Sequence, residues 1–202
     1  MSGPPRLILA SQSSSRRAML TAAGVPFEAV SPSVDEEALK EGLREEGRTA
    51  RQVADALAEV KALRLSARQP GAFVLGCDQT LETEDGAPLD KAVDRADAIA
   101  ILRRLSGKTH KLHSAAVICE NGQPVWRHIE SAKLWVRDLS DAFIADYVTR
   151  EWEAIRWCVG CYQVEGAGAQ LFSRIDGTHF AIQGLPLLAL LDFLRVRGVL
   201  AR

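Results

Sequence analysis

The stretch Leu7–Leu20, LILASQSSSRRAML, decides how the first part of this chain folds. Leu7–Ala10 is a short apolar run typical of a buried strand, and a helical pattern follows the serines and ends near Gly24. The polar side chains at the turn are Ser11, Ser13, Ser14, Ser15, Arg16 and Arg17. A strand that passes through serines into a helix presents backbone N–H groups, hydroxyls and guanidiniums at one point. The stretch therefore predicts a loop that holds a triphosphate.

The same turn also has a purely structural interpretation. Serines commonly cap helix N-termini, and arginines on an exposed helix face are ordinary surface residues. Residues elsewhere in the chain are needed to distinguish a phosphate-binding loop from an ordinary helix cap.

Composition restricts the classes of protein to which the chain can belong. Its 202 residues are 47% hydrophobic, which is enough for a proper core in one large domain or two small lobes. The 25 basic and 26 acidic side chains leave a formal net charge of -1. No overall charge attracts a nucleic acid, so a phosphate site has to be a local cluster for a small anionic ligand.

The sequence favours a cytoplasmic protein that is neither secreted nor embedded in a membrane. No apolar run has the length of a membrane span, and the start MSGPPR lacks the apolar segment of a signal peptide. The cysteines are too few and too unevenly spaced for a disulfide framework: Cys77, Cys119, Cys158 and Cys161. We expect them to be packing residues.

Cys158 and Cys161 also form a CxxC motif after Trp157, which leaves a redox function as an alternative. A thioredoxin-type motif needs its first cysteine at a helix N-terminus, where the thiol pKa is lowered. Here the segment that follows reads as strand and turn, and no second cysteine pair completes a zinc site.

Periodicity, caps and turns predict a mixed α/β fold. The capping-box residues Thr49 and Gln52 begin the clearest helix, and Asn121-Gly122 is a strong hairpin turn. Further helices are predicted over about 35–44, 94–105, 140–149 and 187–197, and strands over about 27–31, 73–77, 110–118, 124–136 and 171–175. A loop flanked by Trp152 and Trp157 is predicted after the helix at 140–149.

Three of these elements supply candidates for chemistry. The apolar strand Phe73–Cys77 is followed directly by Asp78, and ligands of α/β sheets bind at the carboxyl ends of strands. Lys61 lies at the edge of the apolar stripe of the Thr49 helix, where its ammonium either reaches a binding site or simply extends to solvent. Glu36 either complements the dipole of a first helical turn or binds a divalent metal.

Together these side chains form a constellation suited to metal-assisted hydrolysis of a triphosphate. Hydroxyls and cations neutralise the phosphates, while two carboxylates hold a metal and activate a water. The members are Ser11, Ser13, Arg16, Glu36, Lys61, Asp78 and Lys91. The chain has no GxxxxGK[ST] motif and so is not a P-loop nucleotidase.

The order of these pieces resembles the Maf family of nucleoside triphosphate pyrophosphatases over almost the whole chain. The matching stretches are LILASQSSSRRAML at 7–20, VDEE at 34–37, ALAEVKA at 56–62, VLGCDQTL at 74–81, LSGKTH at 105–110, GCYQVEG at 160–166 and IQGLPLLAL at 182–190. The resemblance implies one domain over residues 1–202, with an elongated mixed sheet, flanking helices and two lobes around a nucleotide cleft.

The resemblance also implies an activity and the roles of the candidate residues. Family members hydrolyse the bond between the α- and β-phosphates with Mg²⁺ or Mn²⁺ and release pyrophosphate. Asp78 matches the proton acceptor, and Glu36 together with Asp78 matches the metal-binding carboxylates. The phosphate-binding positions are Ser11, Ser13, Arg16, Arg17, Lys61 and Lys91. We further expect a homodimer.

Three positions distinguish the branches of the family by nucleobase. Gln79 and Glu165 match the branch similar to 7-methyl-GTP pyrophosphatases, in which a buried carboxylate suits a base with positive charge or N–H donors. Ser15 matches neither this branch, which has an aromatic residue there, nor the dTTP/UTP branch, which has Arg. Lys91 lacks the neighbouring Gly and Pro that are common in the family. The alternatives are dTTP or UTP as substrate and a nucleotide-binding regulator of cell division without catalysis.

Overall fold

The computed structural model describes residues 5–201, which contain seven strands, seven α-helices and one short 3-10 helix. The strands are β1 (Arg6–Ala10), β2 (Glu28–Ala29), β3 (Ala72–Thr83), β4 (Pro88–Leu89), β5 (Thr109–Glu120), β6 (Gln123–Val136) and β7 (Phe172–Asp176). The helices are α1 (Ser14–Ala22), α2 (Glu36–Glu45), α3 (Ala50–Ser66), α4 (Arg95–Leu105), α5 (Asp141–Ile155), α6 (His179–Ile182) and α7 (Leu187–Val196), and the 3-10 helix spans Ala167–Leu171.

The seven strands form one mixed sheet. Its order is β2-β1-β3-β5-β6-β7, and β4 pairs with β3. β1 runs parallel to both β2 and β3, whereas the pairs β3–β4 and β6–β7 are antiparallel. The prediction of a mixed α/β fold is thus confirmed.

The chain divides into two compact units. Unit 1 comprises the chain up to Gln79, Ser114–Glu130 and the residues from Gly184 onward. Its core brings small residues of α3 against β1, β3 and β5: Ile8, Ala10, Ala54, Ala58, Ala62, Ala72, Val74, Ala115, Val117 and Cys119. Small side chains allow a helix to lie close to a sheet, and that closeness is central to the site described below.

Unit 2 comprises Thr80–His113 and Ser131–Gln183. Its core is built from larger side chains of α4, α5 and β6, among them Leu102, Leu134, Tyr147 and Trp152. His110 is buried in this unit, and its Nε2 lies 2.7 Å from the Tyr162 hydroxyl. Burial lowers the pKa of His110 to about 4, so the ring is neutral at physiological pH, in keeping with a structural role.

Local signals predicted several element ends well. The capping box of Thr49 and Gln52 opens α3, Asp94 caps α4, and Ser140 caps α5. Asn121 and Gly122 both have positive φ angles, as a tight hairpin turn requires.

Other predictions were wrong where tertiary packing decides the structure. α5 continues to Ile155 because Trp152 and Ile155 extend its buried face, so Trp152 is helical and flanks no loop. The segment after Cys161 forms turns and no strand. Gly160 and Cys161 have φ angles of 78° and 59°, a left-handed backbone that interrupts an extended chain.

Two predictions concerned signals for membrane insertion or export. Within residues 5–201, no helix combines the length and the apolar character that crossing a membrane requires. The prediction that the start MSGPPR lacks the apolar segment of a signal peptide concerns mainly residues 1–4, which lie outside the described residues.

Candidate functional site

Two neighbouring parallel strands bring the serine loop and Asp78 to one edge of the sheet. β1 pairs with β3 up to Ala10 opposite Gly76. Ser11, the residue after β1, therefore lies level with Cys77, one residue before Asp78. The prediction that Asp78 ends its strand was wrong, because β3 continues to Thr83 and pairs there with β4. Asp78 lies instead just beyond the segment of β3 that pairs with β1.

Lys61 joins the two carboxylates of the predicted constellation. Its Nζ lies 2.6 Å from Oδ1 of Asp78 and 2.9 Å from Oε1 of Glu36. Lys61 and Asp78 are only 4% and 5% exposed, so the ammonium does not extend to solvent. The structure thus brings Glu36, Lys61 and Asp78 into direct contact, with one cation between two anions.

The reach of Lys61 depends on the close approach of α3 to β3 at Gly76. A Cβ atom at Gly76 would overlap the carbonyl oxygen of Ala58 and lie 2.7 Å from the Ala62 nitrogen. Only glycine fits between the strand and the helix that carries Lys61. Sequence analysis missed Gly76, although a glycine inside an apolar strand is a recognised sign of close backbone approach.

Glu36 lies in a first helical turn, as predicted, and its role as a metal ligand stays a prediction. It is the first residue of α2, after the N-cap Asp35, whose Oδ1 accepts a hydrogen bond from the Ala38 nitrogen. An acid in this turn complements the helix dipole. Its side chain also reaches Lys61 and remains 36% exposed. Glu36 is therefore the more accessible carboxylate of the pair.

The donor atoms of this pair fit a divalent cation. Asp78 Oδ2 is buried and has no hydrogen-bond partner in residues 5–201, while Glu36 is accessible. A Mg²⁺ site commonly uses one or two protein carboxylates and completes its ligands with phosphate oxygens and water. No group of three or more His, Cys, Asp or Glu side chains suited to a metal occurs among the described residues. Glu36 and Asp78 would thus hold the ion together with the substrate.

The loop before α1 arranges its polar groups around Arg16. Ser13 is the N-cap, and its side chain accepts a hydrogen bond from the Arg16 nitrogen at 3.4 Å. Ser11 Oγ accepts from the Ser13 nitrogen at 3.2 Å and from Arg16 Nη1 at 3.4 Å. Arg16 Nε donates to the carbonyl oxygen of Gly184 at 2.8 Å. Both Ser11 and Arg16 are buried, so the loop is an ordered part of unit 1.

Arg16 is a buried cation that pairs with no carboxylate in the described part of the chain. A buried charge without a counterion is costly, which favours an anionic ligand at this position. Arg17, by contrast, is exposed and is not brought into this cluster. Successive helical residues differ by about 100° in direction, so the two arginines cannot share a face.

Three charges of the site lie near the thiol of Cys77. Burial raises the pKa of its thiol to about 11. Arg16 and Lys61 lower this pKa and Asp78 raises it, so all three act on the same buried sulfur. The serine loop, α3 and β3 therefore supply one electrostatic environment within unit 1.

Two of the predicted base-reading positions belong to unit 1. Ser15 is the second residue of α1 and is half-buried. Gln79 directly follows Asp78, and its Nε2 donates a hydrogen bond to Ser114 Oγ of β5 at 2.8 Å. This contact fixes the direction of the Gln79 amide.

The remaining predicted site residues, Lys91 and Glu165, lie in unit 2 and are exposed. Lys91 follows β4 and lines a cavity of about 370 Å³ with Asp97 and Arg104. The expectation that Glu165 is a buried carboxylate was wrong, because it lies in a turn that Gly166 continues. Burial is the main cause that raises the pKa of Cys158; Glu165 raises it further and Lys91 lowers it, so both charges lie near that thiol.

The CxxC segment lacks the environment of a redox motif. α5 ends at Ile155, so Cys158 follows a helix C-terminus and does not begin a helix. Burial raises the pKa of both thiols, that of Cys161 to about 12. Redox-active cysteines need a lowered thiol pKa, because the thiolate is the reactive form.

Gly184 is the other site residue that sequence analysis missed. It lies 168 residues from Arg16 along the chain, so no local pattern connects the two. Its one sequence signal is its place in the IQGLPLLAL stretch.

Comparisons with known proteins agree with this arrangement of motifs. The Maf family, described as Maf-like protein, matches residues 6–197. A nucleoside triphosphate pyrophosphatase of Sphingopyxis alaskensis is 54% identical over 96% of this chain and 98% of its own length. A protein of the same name from Caulobacter vibrioides is 55% identical over 95% of this chain and 96% of its own. The chain therefore belongs to the family of Maf-like proteins.

Proposed function

We propose that this protein is a metal-dependent nucleoside triphosphate pyrophosphatase that hydrolyses the bond between the α- and β-phosphates. One observation carries the proposal: Lys61 holds Asp78 and Glu36 at 2.6 and 2.9 Å, at the sheet edge where the Arg16 loop begins. Anion-binding groups and a carboxylate with a free oxygen are what this hydrolysis needs. The relatives from Sphingopyxis alaskensis and Caulobacter vibrioides carry the name of this activity.

In this mechanism Asp78 is the general base. Its Oδ2 is buried and hydrogen-bonded to nothing in residues 5–201, so it is available to accept a proton from water. The water oxygen bonds to phosphorus as the anhydride P–O bond breaks, giving the monophosphate and pyrophosphate. Asp78 Oδ1 stays on Lys61, which keeps the carboxylate oriented during the transfer.

The phosphates are held by the loop before α1 and by cations. Ser11, Ser13 and Arg16 supply hydroxyls and N–H groups at a helix N-terminus. Lys61 supplies positive charge beside the reacting group, and the exposed Lys91 is proposed to bind phosphate as well.

Mg²⁺ or Mn²⁺ held by Glu36 and Asp78 would offset the charge that develops on the phosphate oxygens. Because Asp78 Oδ2 would accept the water proton, the accessible Glu36 would be the main protein ligand of the ion, and phosphate oxygens would complete its ligands. Metal dependence is checked by removal with EDTA and readdition of either ion.

For the nucleobase of the substrate, we propose a purine that carries N–H donors or a positive charge. The protein would then prefer 7-methyl-GTP to dTTP or UTP. Gln79 and Glu165 are the residues that support this choice, and an exposed Glu165 is free to accept hydrogen bonds from a ligand. Ser15 supplies no ring for stacking. We expect the protein to act as a homodimer, which sedimentation analysis checks.

The proposed function is tested by a substrate screen. Release of pyrophosphate is measured for 7-methyl-GTP, GTP, dTTP and UTP with Mg²⁺, with Mn²⁺ and with EDTA. We expect metal-dependent release that is fastest with 7-methyl-GTP. Binding of nucleotide without release of pyrophosphate would instead support a non-catalytic regulator, and preference for dTTP or UTP would overturn the assignment of the base.

A further inference from the structure

We propose that Gly184, in the segment that leads into α7, is a positioning residue that orients Arg16 toward a substrate phosphate. This inference rests on the proposed function. It assigns a role in the phosphate site to a stretch of the chain that the mechanism above leaves unused, Ile182–Leu190.

The guanidinium of Arg16 is held at two points. Its Nε donates to Gly184 O at 2.8 Å, and its Nη1 donates to Ser11 Oγ at 3.4 Å. Two anchors on different nitrogens fix both the position and the rotation of a planar group. Nη2 donates to no atom in residues 5–201, so the side chain keeps N–H groups for a ligand.

The chemical nature of the anchor matters. A carboxylate at this position would neutralise the guanidinium and compete with a phosphate for it. A backbone carbonyl accepts a hydrogen bond but carries no net charge, so the positive charge of Arg16 remains for the substrate. A fixed charge in a buried site also avoids the cost of reorganisation when the substrate binds.

Two features favour glycine at this anchor. Its φ angle of 98° lies in a region that other residues rarely adopt. In addition, a Cβ atom at position 184 would lie 3.2 Å from Arg16 Nη2 and 3.3 Å from Nε. Any side chain would therefore crowd the guanidinium that the carbonyl holds.

The chain offers a matched control at the other end of α7. Gly198 has a φ angle of 73°, and a Cβ atom there would meet nothing within 4 Å. Gly184→Ala and Gly198→Ala therefore share the backbone strain and differ in the contact with Arg16. We expect Gly184→Ala to raise the KM for nucleotide about 10-fold, because the added Cβ displaces the guanidinium from the carbonyl that orients it. We expect Gly198→Ala to stay within about twofold of wild type.

A double-mutant comparison asks whether Gly184 acts through Arg16. Arg16→Lys removes the Nε–H group that Gly184 binds. In that background Gly184→Ala should change KM by less than about twofold, because residues that act through each other are not additive. An equal effect of Gly184→Ala with and without Arg16 would overturn the inference, as would equal effects of the two alanine variants.

A measurement on the unmodified protein keeps the inference testable if Gly184→Ala fails to fold. Hydrogen exchange of arginine Nε–H groups is followed by ¹⁵N NMR, with the exposed Arg17 as internal reference. We expect the Arg16 Nε–H to exchange much more slowly than that of Arg17 and to shift when inorganic pyrophosphate is added. Exchange as fast as that of Arg17 would contradict the inference. Absence of pyrophosphate release by wild type would instead contradict the proposed function.

Discussion

The predicted site residues of unit 1 and unit 2 differ in how firmly they are held. In unit 1, Arg16, Lys61 and Asp78 are each at most 9% exposed; Lys61 and Asp78 form an ion pair, and Arg16 is held by Ser11 and Gly184. In unit 2, Lys91 and Glu165 are exposed. The two groups were found by the same kind of sequence reasoning, yet only the first is built into a core.

This difference suggests a division between chemistry and substrate selection. Charges that act on a reacting bond need a fixed geometry, because even small displacements cost much of the rate. Charges that recognise a variable part of a ligand tolerate mobility and adapt to it. We therefore expect changes in unit 1 to abolish turnover and changes in unit 2 to alter which nucleotide is preferred.

The largest effect on stability is expected from Lys61→Met. The change leaves the buried Asp78 carboxylate facing Glu36 without a cation, and loss of one partner of a buried ion pair costs about 3–5 kcal/mol. Denaturant unfolding measures the loss, and pyrophosphate release should fall with it.

The control for this change is Arg127→Met. Arg127 also bridges two carboxylates, Asp55 at 2.7 Å and Glu59 at 2.8 Å, but its side chain is 44% exposed. Exposed ion pairs contribute about 0–1 kcal/mol. Similar losses for the two variants would contradict the distinction between a buried and an exposed cluster.

Gly76→Ala is expected to have the next largest effect. The added methyl group collides with the backbone of α3 at Ala58 and Ala62, so the helix that carries Lys61 has to move. Overpacking of this kind costs about 1–3 kcal/mol. Unfolding and pyrophosphate release are measured together, because the displacement should lower both.

Gly42→Ala serves as its control. Gly42 lies within α2, the helix that begins at Glu36, and a Cβ atom there meets nothing within 4 Å. Alanine inside a helix is about 0.5–1 kcal/mol more favourable than glycine. The variant should therefore gain stability and keep its activity; a loss in both variants would show that the close contact at Gly76 is not the cause.

Glu165→Gln should change substrate preference without changing stability. Glu165 is exposed, and exposed substitutions usually alter stability by less than about 0.5 kcal/mol. Loss of the charge should reduce the preference for 7-methyl-GTP over GTP by roughly 10-fold, or about 1.4 kcal/mol. The ratio of kcat/KM for the two nucleotides measures this, with Glu153→Gln on α5 as a control at another exposed acid.

The smallest effect is expected at the CxxC segment. Because burial raises the pKa of Cys161 to about 12, its thiol stays protonated below that pH and is a poor nucleophile at pH 8. Alkylation of the folded protein should be slow compared with the unfolded protein, and mild oxidant should leave pyrophosphate release unchanged. Rapid reaction of both Cys158 and Cys161 with loss of activity would revive the redox interpretation.

Local signals predicted the elements that carry the candidate site residues. The turn from β1 into α1 and the capping box of α3 each depend on residues a few positions apart, and both are found in the structure. The contact between Gly184 and Arg16 joins distant parts of the chain, so no spacing rule reveals it. Glu165 lies in a turn that the hydrogen bond from the Gly166 nitrogen to the Gln163 carbonyl oxygen closes at 3.3 Å, and its sequence did not indicate that exposed turn.

Asp78 shows most clearly what the local sequence could not predict. An acid after an apolar run indicated a strand end, but pairing with β4 prolongs β3 to Thr83. The functional inference survives because β1 ends at Ala10, so the parallel pairing stops before Asp78 even though the strand does not. Which neighbouring strand ends first cannot be read from the residues around Asp78.

The central claim is tested most directly by pyrophosphate release from wild type and Asp78→Asn under identical conditions. Asparagine keeps the shape of Asp78 but cannot accept the proton, and a general base contributes about 10²–10⁴-fold to a rate. We predict that kcat of the variant falls by at least about 100-fold while the protein remains folded. A folded Asp78→Asn variant that releases pyrophosphate at nearly the wild-type rate would contradict the account.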